Sequence, residues 1–234
     1  NRKVISFDVR QPSRHEIKIE VTYLLDGIKN EQKVTYVVLG SGEVIVHNLL
    51  DTGAKELPEL PRFGMNMRLK PRFDQVEWYG RGPHENYQDR NTSAFVGRYS
   101  SSTGELYFPY VRPQENGNRT DIRWYALTDE TGHGLLVTAR PLLSISALPY
   151  AIEDLDYRES QNRHTVDLQK RDFVDLNIDH KQSGVGGNNS WGAKPLPRYR
   201  LPAGRYEYSF RLSPLKPTSN PDEISKITYD LVSF

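Results

Sequence analysis

A two-residue alternation of apolar and polar side chains runs through this chain, and it constrains the fold more tightly than any other feature. It is cleanest where Tyr206, Tyr208, Phe210 and Leu212 alternate with Arg205, Glu207, Ser209 and Arg211. Successive side chains of a β-strand point to opposite faces, so this stretch carries one apolar face and one polar face. A slip of one residue would turn two arginines and a glutamate into the core, which fixes the register. The pattern recurs in Ile17, Ile19, Val21 and Tyr23, and in Val34, Tyr36 and Val38. It returns around Val44, Ile45 and Val46, then in Met65, Met67 and Leu69, and in Val174, Leu176 and Ile178 against Asp175, Asn177 and Asp179. Turn-forming residues punctuate these runs at Asp26-Gly27, Gly40-Ser41-Gly42, Thr103-Gly104, Thr131-Gly132 and Pro202-Ala203-Gly204. Hairpin-connected strands at this spacing predict an all-β fold, a large antiparallel β-sandwich.

The 234 residues suffice for one large β domain or two small ones. No fixed-period repeat and no Pro/Ser/Gly linker divides the chain, so one domain is expected. Residues 1–50 are expected to be N-terminal strands, either the start of the sandwich or the end of a preceding linker domain, with the main sandwich domain over 51–234. Three stretches do not read as strands: Asp51 to Pro61, Pro149 to Arg163 and Ser183 to Arg198. In the middle one, Ala151 to Asp156 has early acids and predicts one or two helical turns. Beyond Pro214, Pro217 and Pro221 the final segment to Phe234 is expected to lie apart from the sandwich.

Composition removes several classes of function. Without cysteine there is no disulfide scaffold, thiolate zinc site or cysteine nucleophile. Thirty-one Lys and Arg nearly balance thirty Asp and Glu, and no basic block exceeds two residues, so neither nucleic acid nor an anionic membrane is an expected partner. Apolar runs such as Tyr36 to Leu39 fall far short of the ~20 residues that span a bilayer. Asn1-Arg2-Lys3 leads into no signal-peptide core, and the compartment is open, since a cysteine-free chain suits cytoplasm and periplasm alike. The chain lacks an initiator Met, which suggests a processed form or a piece of a longer polypeptide.

The six histidines, His15, His47, His84, His133, His164 and His180, have no metal-ligand spacing, so no metal site is expected. Neither a G-x-S-x-G elbow nor a phosphate-binding P-loop occurs. Glu85, Asp89 and Glu115 lie in loop-like contexts and are assigned to loop ordering by backbone and arginine hydrogen bonds rather than to catalysis. Trp78 and Trp124, inside strand-like runs, are assigned to the core. The segment Gly184 to Gly192 combines glycines with Asn188, Asn189, Ser190 and Trp191. An indole stacks on the C–H face of a pyranose, and amides and hydroxyls match sugar hydroxyls, so these four residues are the candidate substrate-binding set. The competing assignment makes Trp191 a core anchor plugging a bend, and its exposure separates the two.

Several separated motifs together resemble the C-terminal domain of lac-type β-galactosidases of glycoside hydrolase family 2. They are Pro61-Arg62-Phe63-Gly64, Trp78 to Tyr87 with Asp89-Arg90, Tyr110 to Gly117, Asn177-Ile178-Asp179, Gly186 to Trp191 and Leu201 to Tyr206. The resemblance implies a galactose mutarotase-like supersandwich attached to a (β/α)8 barrel that holds the catalytic glutamates and the magnesium and sodium ligands. No catalytic residue and no cofactor is then expected in this chain, and the chain alone is expected to be inactive. It implies a bacterial, retaining enzyme that removes terminal β-D-galactose, acts as a homo-oligomer and reaches its β-galactoside through Trp191. The family often has Asp-Asp where this chain has Asn188-Asn189, which keeps hydrogen-bonding capacity but removes charge. Two other functions compete: an autonomous carbohydrate-binding module, and a free-standing aldose mutarotase, whose Asn-His-x-Tyr-Phe-Asn pattern the chain does not contain.

Overall fold

The computed structural model describes residues 2–53, 56–156, 164–187, 189 and 191–229. Eleven antiparallel strands account for most of them: β1 (Arg2–Ser13), β2 (Glu16–Leu25), β3 (Asn30–Leu39), β4 (Val44–Asp51), β5 (Arg62–Leu69), β6 (Gln75–Gly82), β7 (Phe95–Ser102), β8 (Arg119–Thr128), β9 (Gly134–Leu148), β10 (Val174–Gln182) and β11 (Arg205–Leu215). Two short α-helices are described, α1 (Ile152–Leu155) and α2 (Pro221–Lys226). No helix among the described residues is long and apolar enough to cross a membrane.

The strands run in the order β1-β2-β3-β4-β11-β9-β8-β6-β7, with β10 and β5 branching from β9. β9 makes the branch because it changes partners along its length. Gly134 to Arg140 pair with β11, and Ser144 to Leu148 pair with β10. β5 and β10 thereby form a second layer over the middle of the long sheet. Phe63 of β5 meets Tyr206 and Tyr208 of β11 with ring centroids 5.8 and 5.5 Å apart, and Val46, Leu50, Leu176 and Ile178 fill the same core. Residues 2–51 belong to this sheet without a break, since β4 pairs with β11 from Val44–Leu212 to Asp51–Arg205. Trp78 and Trp124 are both about 1% exposed.

The tail departs from expectation. α2 does not stand apart but packs on the outer face of the long sheet. Asn220 caps it, accepting the Asp222 N–H at 3.0 Å, and Ile224 packs on the cluster of Trp124, Ala126, Leu136 and Leu215. Trp124 Nε1 donates to Asp222 at 2.9 Å, and Arg211 donates to the carbonyls of Ile224 and Ile227. The physical reason is that the outer face of β8, β9 and β11 is not wholly polar: Trp124, Ala126 and Leu136 point there and need cover. Arg211, on the polar side of the cleanest alternating strand, is buried for the same reason and lies 3.5 Å from the buried Glu43.

β10 differs in the same sense. Its polar positions Asp175, Asn177 and Asp179 are nearly as buried as its apolar ones: Asp175 and Asn177 line a cavity whose walls include residues 113–116 and α1, and Asp179 is paired with Arg62. Burial is tolerated where partners exist. Asp179 accepts from Arg62 Nε at 3.0 Å, and Asn177 donates to Ser146 Oγ at 3.2 Å.

Candidate functional site

The β10–β11 connection leaves the sheet at Ser183, whose N–H donates to Pro61 O at 2.8 Å. Gly184 N–H then donates to Tyr199 O at 2.7 Å, so the segment departs and returns at one point and forms a closed excursion. Its base rests on the segment after β6. Asp89 accepts the N–H groups of Val185 at 3.2 Å and Gly186 at 2.9 Å, and Gln88 Nε2 donates to Tyr199 O at 2.8 Å. A side chain at position 184 would not fit, because a Cβ there would stand 2.6 Å from Asp89 Oδ2. Gly186 and Gly187 have φ of +66° and +89°, a region that L side chains rarely adopt, and they turn the chain outward.

Past these glycines, Asn189 Oδ1 accepts the N–H groups of Trp191 at 2.8 Å and Ala193 at 3.4 Å. This Asx-type turn presents Trp191 at its tip with 92% of its surface exposed. The core-anchor assignment for Trp191 is therefore excluded. Asn189 is exposed and spends its carbonyl oxygen on the turn, leaving only its amide N–H2 to face outward. Asn188 and Ser190, the other two residues of the candidate set, lie outside the described residues. On the return path Lys194 and Arg200 pair with Glu59 at 3.2 and 3.5 Å, and Arg200 Nε donates to Pro195 O at 2.6 Å.

The loop carboxylates all have structural partners. Glu85 accepts from Tyr110 OH, from Arg90 at 2.9 Å and from the N–H of Gly117 at 2.8 Å. Glu115 lies 3.6 Å from Arg62, which also binds Asp179. These two acids share one guanidinium and are held in place by it. Among the described residues no group of three or more His, Asp or Glu is placed to hold a metal ion. Sequence reasoning named the tip of the excursion but not its supports, Gln88 and Glu59. Residues so distant along the chain are joined only by the fold.

The geometry is thus an exposed indole on a loop braced at its base by Asp89. The model of the family described as β-galactosidase small chain matches residues 1–212. The chain belongs to the β-galactosidase small chain family. A β-galactosidase of Priestia megaterium is 39% identical over 206 residues, and one of Streptococcus thermophilus is 34% identical over 202 residues. These matches take in 88% and 84% of this chain but 19% of each relative, so the small-chain domain spans about a fifth of the length of such proteins. Among solved structures, a galactose mutarotase-related enzyme of Lactobacillus acidophilus is similar over 92% of this chain and 73% of its own, with a TM-score of 0.44 and 9% identity. A Geobacillus stearothermophilus α-galactosidase complexed with 1-deoxygalactonojirimycin gives a TM-score of 0.47 at 9% identity, over 92% of this chain and 28% of its own.

Proposed function

We propose that this small-chain domain works within a β-galactosidase that hydrolyses terminal non-reducing β-D-galactose residues. Its part is to supply the Trp191 loop as a wall of the substrate and acceptor site. The catalytic glutamates belong to a barrel domain outside this chain, so the chain by itself does not turn over substrate. The observation that carries this proposal is the 92% exposure of Trp191 on a loop whose base is fixed by Asp89. A large aromatic surface held out into solvent by a built turn is costly unless something covers it, and a sugar's C–H face does so while its hydroxyls stay hydrated. The names of the relatives supply the substrate class.

The test is steady-state kinetics of the complete enzyme with Trp191→Ala and Trp191→Phe. A stacked ring is worth about 0.5–1.5 kcal/mol, so the alanine variant should raise KM for lactose roughly 2- to 12-fold with kcat nearly unchanged. The phenylalanine variant should recover part of the loss. Parent-like kinetics of Trp191→Ala on both lactose and a nitrophenyl galactoside, or galactoside cleavage by this chain alone, would overturn the proposal.

A further inference from the structure

The apolar face of the long sheet does not end where the second layer ends. Following one row across it, Val9 stands opposite Ile19, Ile19 opposite Tyr36, Tyr36 opposite Val46 and Val46 opposite Phe210. Phe210 and Val46 are 3% and 1% exposed, Tyr36 and Ile19 are partly covered, and Val9 is 52% exposed. The neighbouring positions behave alike: Phe7, opposite Val21, is 64% exposed, and Val4, opposite Tyr23, is 52% exposed. The other side of the same hairpin is polar, with Ser6 opposite Thr22, Asp8 opposite Glu20 and Arg10 opposite Lys18. β1 and β2 are thus amphipathic in the pattern of a buried sheet, yet while Val21 of β2 is 6% exposed, the apolar side chains of β1 stay largely uncovered by the described residues.

We infer that this face, centred on Val4, Phe7 and Val9, is covered in the complete enzyme by an apolar surface from the rest of the β-galactosidase polypeptide. A contiguous apolar patch with a polar reverse side marks an interface. The partner is the rest of the enzyme because about four-fifths of the length of the relatives lies outside the part matched here. A tethered surface also meets this face at an effective concentration that a second copy does not reach. The inference rests on the proposed function, since it takes this chain to be a domain of a larger enzyme.

The test uses the complete enzyme with Phe7→Asp, and Ser6→Asp as the same charge on the polar face of the same strand. Phe7→Asp is expected to shorten the half-life of activity under mild heating at least tenfold relative to Ser6→Asp, and Phe7→Leu to restore it. Amide hydrogen exchange across residues 4–9 is expected to be slow in the parent and faster in Phe7→Asp. Equal half-lives for Phe7→Asp and Ser6→Asp, or parental exchange as fast as in exposed turns, would overturn the inference. So would light scattering in which Phe7→Asp only splits an oligomer and leaves each subunit as heat-stable as before, which would assign the face to a second copy. If residues 4–9 are protected and the enzyme cleaves no β-galactoside, the inference stands and the proposed function falls.

Discussion

The carboxylate of Asp89 accepts the backbone N–H of Gly186 at 2.9 Å, and that contact sets where the Trp191 loop leaves the domain. It joins two segments 97 residues apart, one after β6 and one after β10. The tryptophan's position is therefore an outcome of the fold.

Loosening that contact should act on the loop and not on the domain. Asp89→Ala removes hydrogen bonds to Val185 and Gly186, a loss of about 1–3 kcal/mol of anchoring. In the complete enzyme KM for lactose should rise several-fold with kcat nearly constant, while the thermal midpoint moves little. Gly184→Ala should copy the effect, since its Cβ would press on Asp89. Unchanged kinetics in both variants would separate Trp191 from its supposed brace.

The Arg62–Asp179 pair gives a pH signature. Burial pushes the Asp179 carboxyl up to about 6, although Arg62 pulls the other way. The folded state then holds this proton more tightly than the unfolded chain, where a carboxyl titrates near 3.9. Its contribution to stability is complete below about pH 4 and is lost as pH rises through 6. Denaturant unfolding of parent and Asp179→Asn should show the variant gaining on the parent by on the order of 2 kcal/mol between pH 4 and 6.5. A constant difference across that range would refute it.

His180 acts in the opposite direction. Its ring stacks on Tyr208 at 5.5 Å, and burial, aided by Lys181, lowers its pKa to about 4. The neutral ring favours folding above pH 6.5, and that contribution is lost as pH falls through 4. His180→Gln should flatten the acid limb of the stability profile relative to the parent. An unchanged acid limb would show that the ring is charged without penalty.

The tail should be integral to stability. Asp222→Ala removes the acceptor of Trp124 Nε1 and a partner of Arg98, which should cost about 1–2 kcal/mol. The thermal midpoint should fall by several degrees. Asp222→Asn, which keeps an acceptor, should lose less. Equal midpoints for all three proteins would show that the segment after Pro214 contributes little.

Packing sets a stricter limit at Gly64. A Cβ there would stand 1.9 Å from Asp179 Oδ1 and 2.7 Å from the Ile178 carbonyl oxygen. Backbone lies in the way, so β5 and β10 would have to separate, and Gly64→Ala should destabilise by about 3 kcal/mol. A variant of parental stability would mean that the β5–β10 spacing is loose.

Residues 205–212 and 174–178 carried the strand class in their own alternation, because a period of two is a property of the extended backbone and needs no partner. The same alternation overstated how much of each strand faces water. Asp175, Asn177, Asp179 and Arg211 all sit on polar faces that other segments cover. Whether a polar residue meets water or a buried partner depends on what folds over it, and that segment can lie anywhere in the chain. β1 falls within the residues 1–50 expected to be strands, but its pairing was not legible, since its register with β2 shifts between Val4 and Ser6 and between Arg10 and Ser13.

By itself, then, the sequence determined the β class, the turn positions, the burial of Trp78 and Trp124 and the glycines that free the backbone around Trp191, because each depends on local geometry or on a side chain's own aversion to water. Only the tertiary structure decided that α2 covers Trp124, that Asp89 grips Gly186 and that Phe7 is left bare at the end of an otherwise buried row. Those are distances between segments remote along the chain, and they arise only when the chain closes on itself.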